Sequence, residues 1–445
     1  MRHALIEPLV MLATVLQWLV LSIITGALVG TGVSAFLIAL FALTGHGSSL
    51  PLWMQMILLP VGGLINGLLL YYGYKLSKNT LSDSMMAAVH DQRGRMPLKT
   101  LWIKPVAALI TLGSGGSAGK EGPCSHIGAS LGSGMGRLLG VNAELQKRLV
   151  ACGVSAGFAS VFGTPIAGAI YGVEVLAIGR IRHDFLLPAI IGGVTAYQVS
   201  QFWGVPYDTF SIPFLTDYTE WLFIKTVFIG IICGLAARVY VDFYHYSRKL
   251  FQQLQSRLSL WPPLTPLLGG CLLSLLILWL PVDYLGLSLP MMEQALAGEA
   301  MPYLGFLWKA LLVAITLGSG FYGGVVTPQF VIGAVTGNAF AHLFGISPAL
   351  GAAVGLVAVV SSASNTPIAA ILMGVELFGG NSLLYVAGAS MSAYLLVGHR
   401  SIYPDQHLAF AKSSWIQIRP DLPVGQEKIR LSYGLLKWWS QRKHH

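Results

Sequence analysis

The chain has 445 residues, of which 54% are hydrophobic and only 10% are charged, and its formal net charge is +9. Soluble domains carry about 25% charged residues, so this composition excludes an ordinary soluble enzyme and predicts a polytopic membrane protein built from helices. Five apolar stretches have the length of a membrane-crossing helix, at about Leu9–Leu43, Leu52–Tyr74, Phe185–Phe202, Trp221–Tyr244 and Leu264–Leu280. Because about 20 helical residues cross a bilayer, the first stretch must be strongly tilted or form two segments.

The basic residues are unevenly distributed between the connections. They cluster in the loop Lys75–Lys99, around Arg180 and in the C-terminal tail, whereas the connections Asp208–Glu220 and Asp283–Glu299 are acidic or neutral. This asymmetry is the positive-inside signal, and it predicts a multi-pass membrane protein with its basic loops and tail in the cytoplasm. The net charge therefore does not require a nucleic-acid partner. We expect the first apolar stretch to be retained, because no small-residue cleavage site accompanies it.

Two segments of the chain occur twice. Thr111–Gly115 (TLGSG) recurs as Thr316–Gly320, an offset of 205 residues (316 − 111). Thr164–Val175 recurs as Thr366–Leu377, an offset of 202 residues (366 − 164). Two matches at nearly the same offset indicate an internal duplication, with halves at roughly residues 75–200 and 280–400. Duplicated, Gly/Pro-interrupted apolar segments are the best sequence indication of an ion site at mid-membrane.

The duplicated regions predict broken helices. Between residues 98 and 179, and again between 306 and 378, Gly and Pro interrupt the sequence so often that we expect no helix of full transmembrane length. Helices beginning at Pro123 and at Pro328 would present free backbone N–H groups, which attract anions. Glu121 lies two residues before the first of these prolines. A carboxylate at this place can occupy the anion site when it is deprotonated and vacate it when it is protonated.

Three motifs now carry a resemblance to a known family. They are Gly119–Pro123 (GKEGP), followed by His126-Ile127-Gly128, then Gly324–Pro328 (GVVTP), and Ser401-Ile402-Tyr403. Their order and spacing, with the duplication, resemble those of the CLC chloride channels and chloride/proton antiporters of prokaryotic type, which lack cytoplasmic nucleotide-sensing domains. The resemblance covers about residues 10–403.

The resemblance implies an all-α membrane fold of two inverted repeats with broken and half-length helices. Residues 1–403 would form the transport domain, and residues 404–445 a short basic cytoplasmic tail. It also implies a homodimer with one anion path in each subunit, which moves chloride or another small anion, and possibly protons, without a cofactor or metal. Glu121 would be the gate, and the anion-binding residues would be Thr80, Gly119, Lys120, Gly122, Pro123, Val325, Val326, Thr327 and Tyr403.

Three departures from the family pattern leave the transport mode open. Thr80 stands where the family has a serine between glycines, Val175 where antiporters often carry an inner glutamate, and Val326 where the family has phenylalanine. The protein is thus predicted to be a chloride channel or a chloride/proton exchanger, and the alternative is a fluoride/proton antiporter that exports fluoride. An intramembrane enzyme is not expected, since Glu121 has no second acid near it in sequence and no repeated Ser/His pairing accompanies it.

Other residues receive structural interpretations. Glu174 and Glu376 end the two copies of the second repeat and are expected to bind nearby backbone or arginine groups. His126 is expected to pack between helices, and Lys120 to extend toward solvent or a headgroup. The end of the tail, Leu436–Lys443, mixes aromatic and basic residues and is either a membrane-surface anchor or disordered. The four scattered cysteines indicate neither a metal site nor a disulfide framework.

Overall fold

A computed structural model of the chain describes residues 2–45, 51–75, 84–207, 212, 219–427 and 430–431. Within these ranges the chain forms sixteen α-helices and five short strands. The helices are α1 (Arg2–Thr44), α2 (Leu52–Lys75), α3 (Met85–His90), α4 (Thr100–Gly113), α5 (Glu121–Leu138), α6 (Ala143–Phe162), α7 (Pro165–Glu174), α8 (Leu186–Phe202), α9 (Glu220–Arg257), α10 (Leu264–Leu276), α11 (Leu289–Ala297), α12 (Gly305–Gly318), α13 (Val326–Ala341), α14 (Pro348–Ala363), α15 (Pro367–Phe378) and α16 (Leu383–Leu396). The strands are β1 (Ala177–Ile178), β2 (His407–Leu408), β3 (Ile416–Gln417), β4 (Leu422–Pro423) and β5 (Arg430–Leu431).

Four helical segments in the described part of the chain are long and apolar enough to cross a membrane. They are Ile6–Thr44, Leu52–Gly73, His183–Phe202 and Glu220–Arg257. The first belongs to a single helix of 43 residues, about 65 Å long at 1.5 Å per residue, so it is one long helix and not two segments. Large apolar side chains such as Leu9 and Leu12 cover its exposed face.

The fifth predicted span was wrong. The stretch Leu264–Leu280 contains only the 13-residue helix α10. Proline follows at position 281, and the residue before a proline is disfavoured in helical conformation. One face of this helix packs against α2, and the leucines of its other face, Leu268, Leu272 and Leu275, are exposed.

The predicted broken helices are present in both halves. Helices α4 to α7 have 14, 18, 20 and 10 residues, and α12 to α15 have 14, 16, 16 and 12. The longest of them, α6, has 20 residues, but its first turns carry Glu144, Lys147 and Arg148. It is therefore not among the described helices that are both long and apolar enough to cross a membrane.

The two halves have equivalent packing and opposite direction. Helix α5 packs on α6 as α13 packs on α14, and α1 packs on α8 as α9 packs on α16. The loops before α5 and α13 meet in an antiparallel bridge between Gly119 and Gly324. Glycines bring the helices of each pair into backbone contact, as at Gly128 with Gly153 and at Gly333 with Gly355. The predicted all-α fold of two inverted repeats is confirmed.

The chain beyond Tyr403 packs back onto the membrane domain as far as residue 427. Strand β2 pairs in parallel with β1, which follows α7, and antiparallel with β4, while β3 pairs with β5. The Gln406 side chain donates hydrogen bonds to the carbonyls of Val175 and Ser364, at 3.0 and 2.9 Å. The stretch Leu436–Lys443 lies outside the described residues, so both interpretations of it stay predictions.

Candidate functional site

The Glu121 carboxylate occupies the N-terminus of a helix from the other half of the protein. Glu121 is the first residue of α5 and is 1% exposed. Its Oε1 accepts a hydrogen bond from the Val326 backbone N–H at 2.5 Å. Its Oε2 accepts one from the Thr327 N–H at 3.2 Å and another from the Thr327 hydroxyl at 2.7 Å. All three donors belong to the first turn of α13, where helical N–H groups lack partners within the helix.

Glycines bring the two helix starts together at this place. The N–H groups of Gly119 and Gly324 each donate to the other's carbonyl, both at 2.8 Å. A Cβ at either position would collide with the Glu121 carboxylate, and a Cβ on Gly122 would lie 3.0 Å from the Gly324 Cα. The absence of side chains therefore lets the carboxylate reach across from one repeat to the other.

The two prolines lie inside the first turns and not at the first residues. Helix α5 begins two residues before Pro123, and α13 begins two residues before Pro328. The predicted helix starts were therefore late by two residues. Proline is tolerated there because the N–H it removes has no partner in the first turn anyway. Val326 and Thr327 therefore belong to the first turn of α13, and their N–H groups have no hydrogen-bond partner within that helix.

The remaining predicted residues of the outer part surround this contact. The Lys120 backbone N–H donates to the Thr327 hydroxyl at 3.4 Å, and its ammonium lies 5.1 Å from the centre of the Phe41 ring. The Val325 carbonyl accepts a hydrogen bond from the Tyr240 hydroxyl at 3.1 Å. Pro123 is buried. These residues are therefore brought together around the Glu121 carboxylate.

Tyr403 is the first residue in a series of hydrogen-bonded side chains. Its hydroxyl is 3.2 Å from that of Tyr171. The Tyr171 hydroxyl donates a hydrogen bond to Ser364 Oγ at 2.9 Å, and the Ser364 hydroxyl donates one to the Gln329 amide oxygen, also at 2.9 Å. Sequence reasoning missed Tyr171 and Gln329, although Tyr171 lies within the second repeat. Thr80 lies outside the described residues, and its role stays a prediction.

A cavity of about 200 Å³ connects the two groups of residues. Glu121, His126 and Tyr403 line it, together with Met85 of α3 and with Asp405 at its edge. The His126 ring packs edge-on against Tyr322, with 6.0 Å between the ring centres. An ion or water in this cavity would contact the gate residue at one end and the predicted inner tyrosine at the other.

The second pair of repeated carboxylates forms two reciprocal helix caps. Glu174 accepts hydrogen bonds from the first-turn N–H groups of Ile368 and Ala369 in α15, at 3.1 and 2.8 Å. Glu376 accepts two at 2.9 Å from Ile166 and Ala167 in α7. Each carboxylate stabilises the partially positive end of the other helix. Their geometry matches the expected structural role with backbone partners.

The other polar groups near the site do not resemble a metal centre. Among the described residues, no three His, Cys, Asp or Glu side chains come close enough together to hold a metal ion. Val175, at the position of the antiporters' inner glutamate, is 1% exposed and offers only its carbonyl, to Gln406. The site is therefore built from backbone N–H groups, hydroxyls and one carboxylate, which suits a weakly held anion.

Comparisons with known proteins identify the family of the chain. The profile of the voltage gated chloride channel family matches residues 62–398. The chain is 34% identical to a chloride/fluoride channel protein of Pseudomonas syringae pv. tomato over 433 residues, which is 96% of this chain and 92% of the relative. A crystal structure of a CLC-type fluoride/proton antiporter superposes with a TM-score of 0.81 at 30% identity, covering 88% of this chain and 98% of that one. A slow cyanobacterial Cl⁻/H⁺ antiporter, at 23% identity, shares the fold with a TM-score of 0.69 over 85% of this chain and 94% of that one. This chain belongs to the voltage-gated chloride channel (CLC) family, and it is an integral membrane protein for anion transport.

Proposed function

We propose that the protein moves a small halide across the membrane along a path gated by Glu121, as a channel or a proton-coupled exchanger. Chloride is the first candidate. The observation that carries the proposal is the position of the Glu121 carboxylate on the first-turn donors of α13. These donors are the kind of group that binds an anion, and a side chain now fills their site.

Gating follows from competition for these donors. A deprotonated Glu121 is a tethered anion that satisfies Val326 and Thr327, so a free halide must displace it. Protonation removes the charge that those N–H groups attract, and the side chain is then free to leave. Partial charges at a helix end bind a halide less tightly than a full cation would, which allows it to dissociate again.

Protons need a path from the inner side if the protein is an exchanger. Val175 has no group that can carry a proton. The cavity of about 200 Å³ between Glu121 and Tyr403 has room for about six water molecules at roughly 30 Å³ each. A file of water beside the Tyr403 hydroxyl would supply protons to Glu121 without an inner glutamate.

Fluoride is the second candidate, with equal support. The Pseudomonas syringae relative carries fluoride in its name, and the superposed structure at 30% identity is a fluoride/proton antiporter. The Thr327 hydroxyl adds a third donor beside two N–H groups within a small space. Short, convergent donors favour a small anion that is strongly hydrated in water.

We also propose that the protein is a homodimer of a prokaryotic inner membrane, with its basic loops in the cytoplasm. The support is the family resemblance and the charge asymmetry between the loops. Cross-linking in native membranes tests the first statement, and labelling of single cysteines in the basic loops tests the second.

Flux measurements with two ions decide between the transport modes. Proteoliposomes loaded with chloride or fluoride are diluted into anion-poor buffer, and anion efflux and external pH are followed together. Uphill proton movement driven by the anion gradient identifies an exchanger, and anion efflux without it identifies a channel. Faster fluoride than chloride efflux assigns fluoride as the substrate, and efflux of neither anion refutes the proposal.

A further inference from the structure

A second cavity, of about 560 Å³, adjoins the first one. The two share a wall formed by Tyr244, by residues 322–323 and by Val325. The other walls of the second cavity come from α2, α4, α9 and the start of α10. The shared wall is the chain that leads directly into the first turn of α13. The second cavity therefore lies behind the residues that hold Glu121.

The two cavities differ in the sign of their charge. The ionised side chains that line the first are the carboxylates of Glu121 and Asp405. The ionised side chains that line the second, among the described residues, are Lys104 and Arg248, and both are cationic. Two cations from different helices, with no carboxylate among the described lining residues, give this space an attraction for anions.

Both cations are held at the shared wall. The Lys104 ammonium lies 4.4 Å from the centre of the Tyr322 ring. The Arg248 guanidinium lies beside the Tyr244 hydroxyl. Arg248 is exposed, so it marks the mouth of the cavity. A ligand that enters there meets Arg248 first and Lys104 further inside.

A buried hydroxyl provides an independent indication of a ligand. Thr265, in the first turn of α10, is 5% exposed and lines the second cavity. Its Oγ1 has no hydrogen-bond partner among the described residues. Buried hydroxyls in native proteins nearly always have one. A group bound in the cavity would supply it, with Gln252 and Gln255 adding amide donors on the facing helix.

We infer that this basic cavity is a second anion-binding site, separate from that of Glu121, which binds a phosphate- or sulfate-like group. The volume far exceeds that of a bare halide, and Lys, Arg, hydroxyl and amide donors together suit an anion with several oxygens. The group belongs either to a free ion or to a lipid headgroup.

The test is binding of inorganic phosphate to the purified full-length protein, measured as a shift of the thermal midpoint in detergent. The double variant Lys104→Met/Arg248→Gln is expected to bind phosphate at least tenfold more weakly than the wild type. Thr265→Val, which keeps the volume, is expected to bind about threefold more weakly. Lys249→Gln is the matched control, because this exposed neighbour of Arg248 does not line the cavity, and its affinity should not change.

The source of the bound group is decided by a second measurement. If free phosphate shows no effect, native mass spectrometry should find phosphatidylglycerol retained on the wild type and lost from the double variant, which assigns a lipid headgroup. If neither phosphate nor phosphatidylglycerol distinguishes the two proteins, the inference is wrong. These measurements detect binding and do not depend on transport. If the protein moved no halide, the proposed function would be refuted, but the comparison of the wild type with the double variant would still test this second site.

Discussion

Replacing Glu121 with glutamine is expected to make anion flux insensitive to pH. Under the proposed function, the wild-type carboxylate competes with the halide for the first turn of α13, and protonation of the carboxylate would relieve this competition. Glutamine has nearly the same size and no charge at any pH. The variant should therefore behave at neutral pH as the wild type does in acid.

The size of the effect follows from the three hydrogen bonds that the carboxylate accepts, at 2.5, 3.2 and 2.7 Å. A hydrogen bond to a charged group contributes about 1.5–3 kcal/mol and a neutral one about 0.5–1.5 kcal/mol. Glutamine has one acceptor oxygen, and its amide N–H groups face the remaining donors, so at least one of the three bonds is lost and the others become neutral. The total loss is at least about 3 kcal/mol. At 1.4 kcal/mol for each factor of ten, glutamine should occupy the site about 100-fold less than the carboxylate does.

The assay is chloride efflux, or fluoride efflux if that ion is faster, from proteoliposomes between pH 5 and pH 8. Wild-type efflux should rise as the pH falls, while Glu121→Gln should give a flat profile and exceed the wild type at least tenfold at pH 7.5. Glu376→Gln is the matched control, because that carboxylate also caps a helix and should leave the pH profile unchanged. A Glu121→Gln profile as steep as the wild type's would remove Glu121 from the mechanism.

Three further predictions concern the surroundings of the site. Gly324→Ala places a methyl group against the Glu121 carboxylate, which should displace the carboxylate and raise halide efflux at pH 7.5 severalfold. Gly134→Ala is the control, because its added methyl would lie 3.3 Å from a Leu98 methyl and away from Glu121, and it should leave the efflux unchanged. In Glu376→Gln only one acceptor oxygen remains, so one of the two hydrogen bonds to α7 is lost and the other becomes neutral. The loss is about 2 kcal/mol, and the thermal midpoint in detergent should fall by a few degrees; an unchanged midpoint would contradict the capping role. Burial lowers the pKa of His90 below its ordinary value of 6.5, and the nearby charges of His407, on which it stacks, and Arg180 lower it further; the Leu176 carbonyl and Asp91 oppose this shift. Because the folded protein favours neutral His90, the local structure is weakened as the pH falls below about 6.5. Hydrogen exchange of the β2 amides, corrected for intrinsic rates, should therefore be faster at pH 5.5 than at pH 7.5 in the wild type, and this difference should be absent in His90→Gln.

The sequence alone predicted the features that local chemistry determines. Gly/Pro interruptions act on neighbouring residues only, so the broken helices and the position of Glu121 before a helix could be recognised. A structural role for Glu174 and Glu376 could be expected because they occupy equivalent positions in two similar repeats, although the sequence left open whether backbone or arginine groups bind them. The boundaries were less certain, since a proline is accepted at any position of a first turn, and both gate helices begin two residues before theirs.

The remaining features depend on contacts between distant parts of the chain. Tyr171 and Tyr403 are separated by 232 residues, and no spacing in one sequence indicates that their hydroxyls meet. The wrong span at Leu264–Leu280 has a related cause. An apolar run indicates only that a segment is shielded from water. It does not distinguish a segment that faces lipid from one that packs against protein, as the buried face of α10 does.

The internal symmetry relates the contact of Glu121 with α13 to the pair of helix caps made by Glu174 and Glu376. Glu121 and Val326 are equivalent by the offset of 205 (326 − 121), since each is the first residue of its helix. At the α7 and α15 ends both copies are glutamates, so each helix end is filled by the other copy. At the α5 and α13 ends only one copy carries a carboxylate, because Val326 has none to offer. By the symmetry of the reciprocal caps, a carboxylate at position 326 would fill the first turn of α5 and not that of α13. The contact between α5 and α13 is therefore one-sided, and under the proposed function only the departure of Glu121 is needed to open the first turn of α13 to an anion.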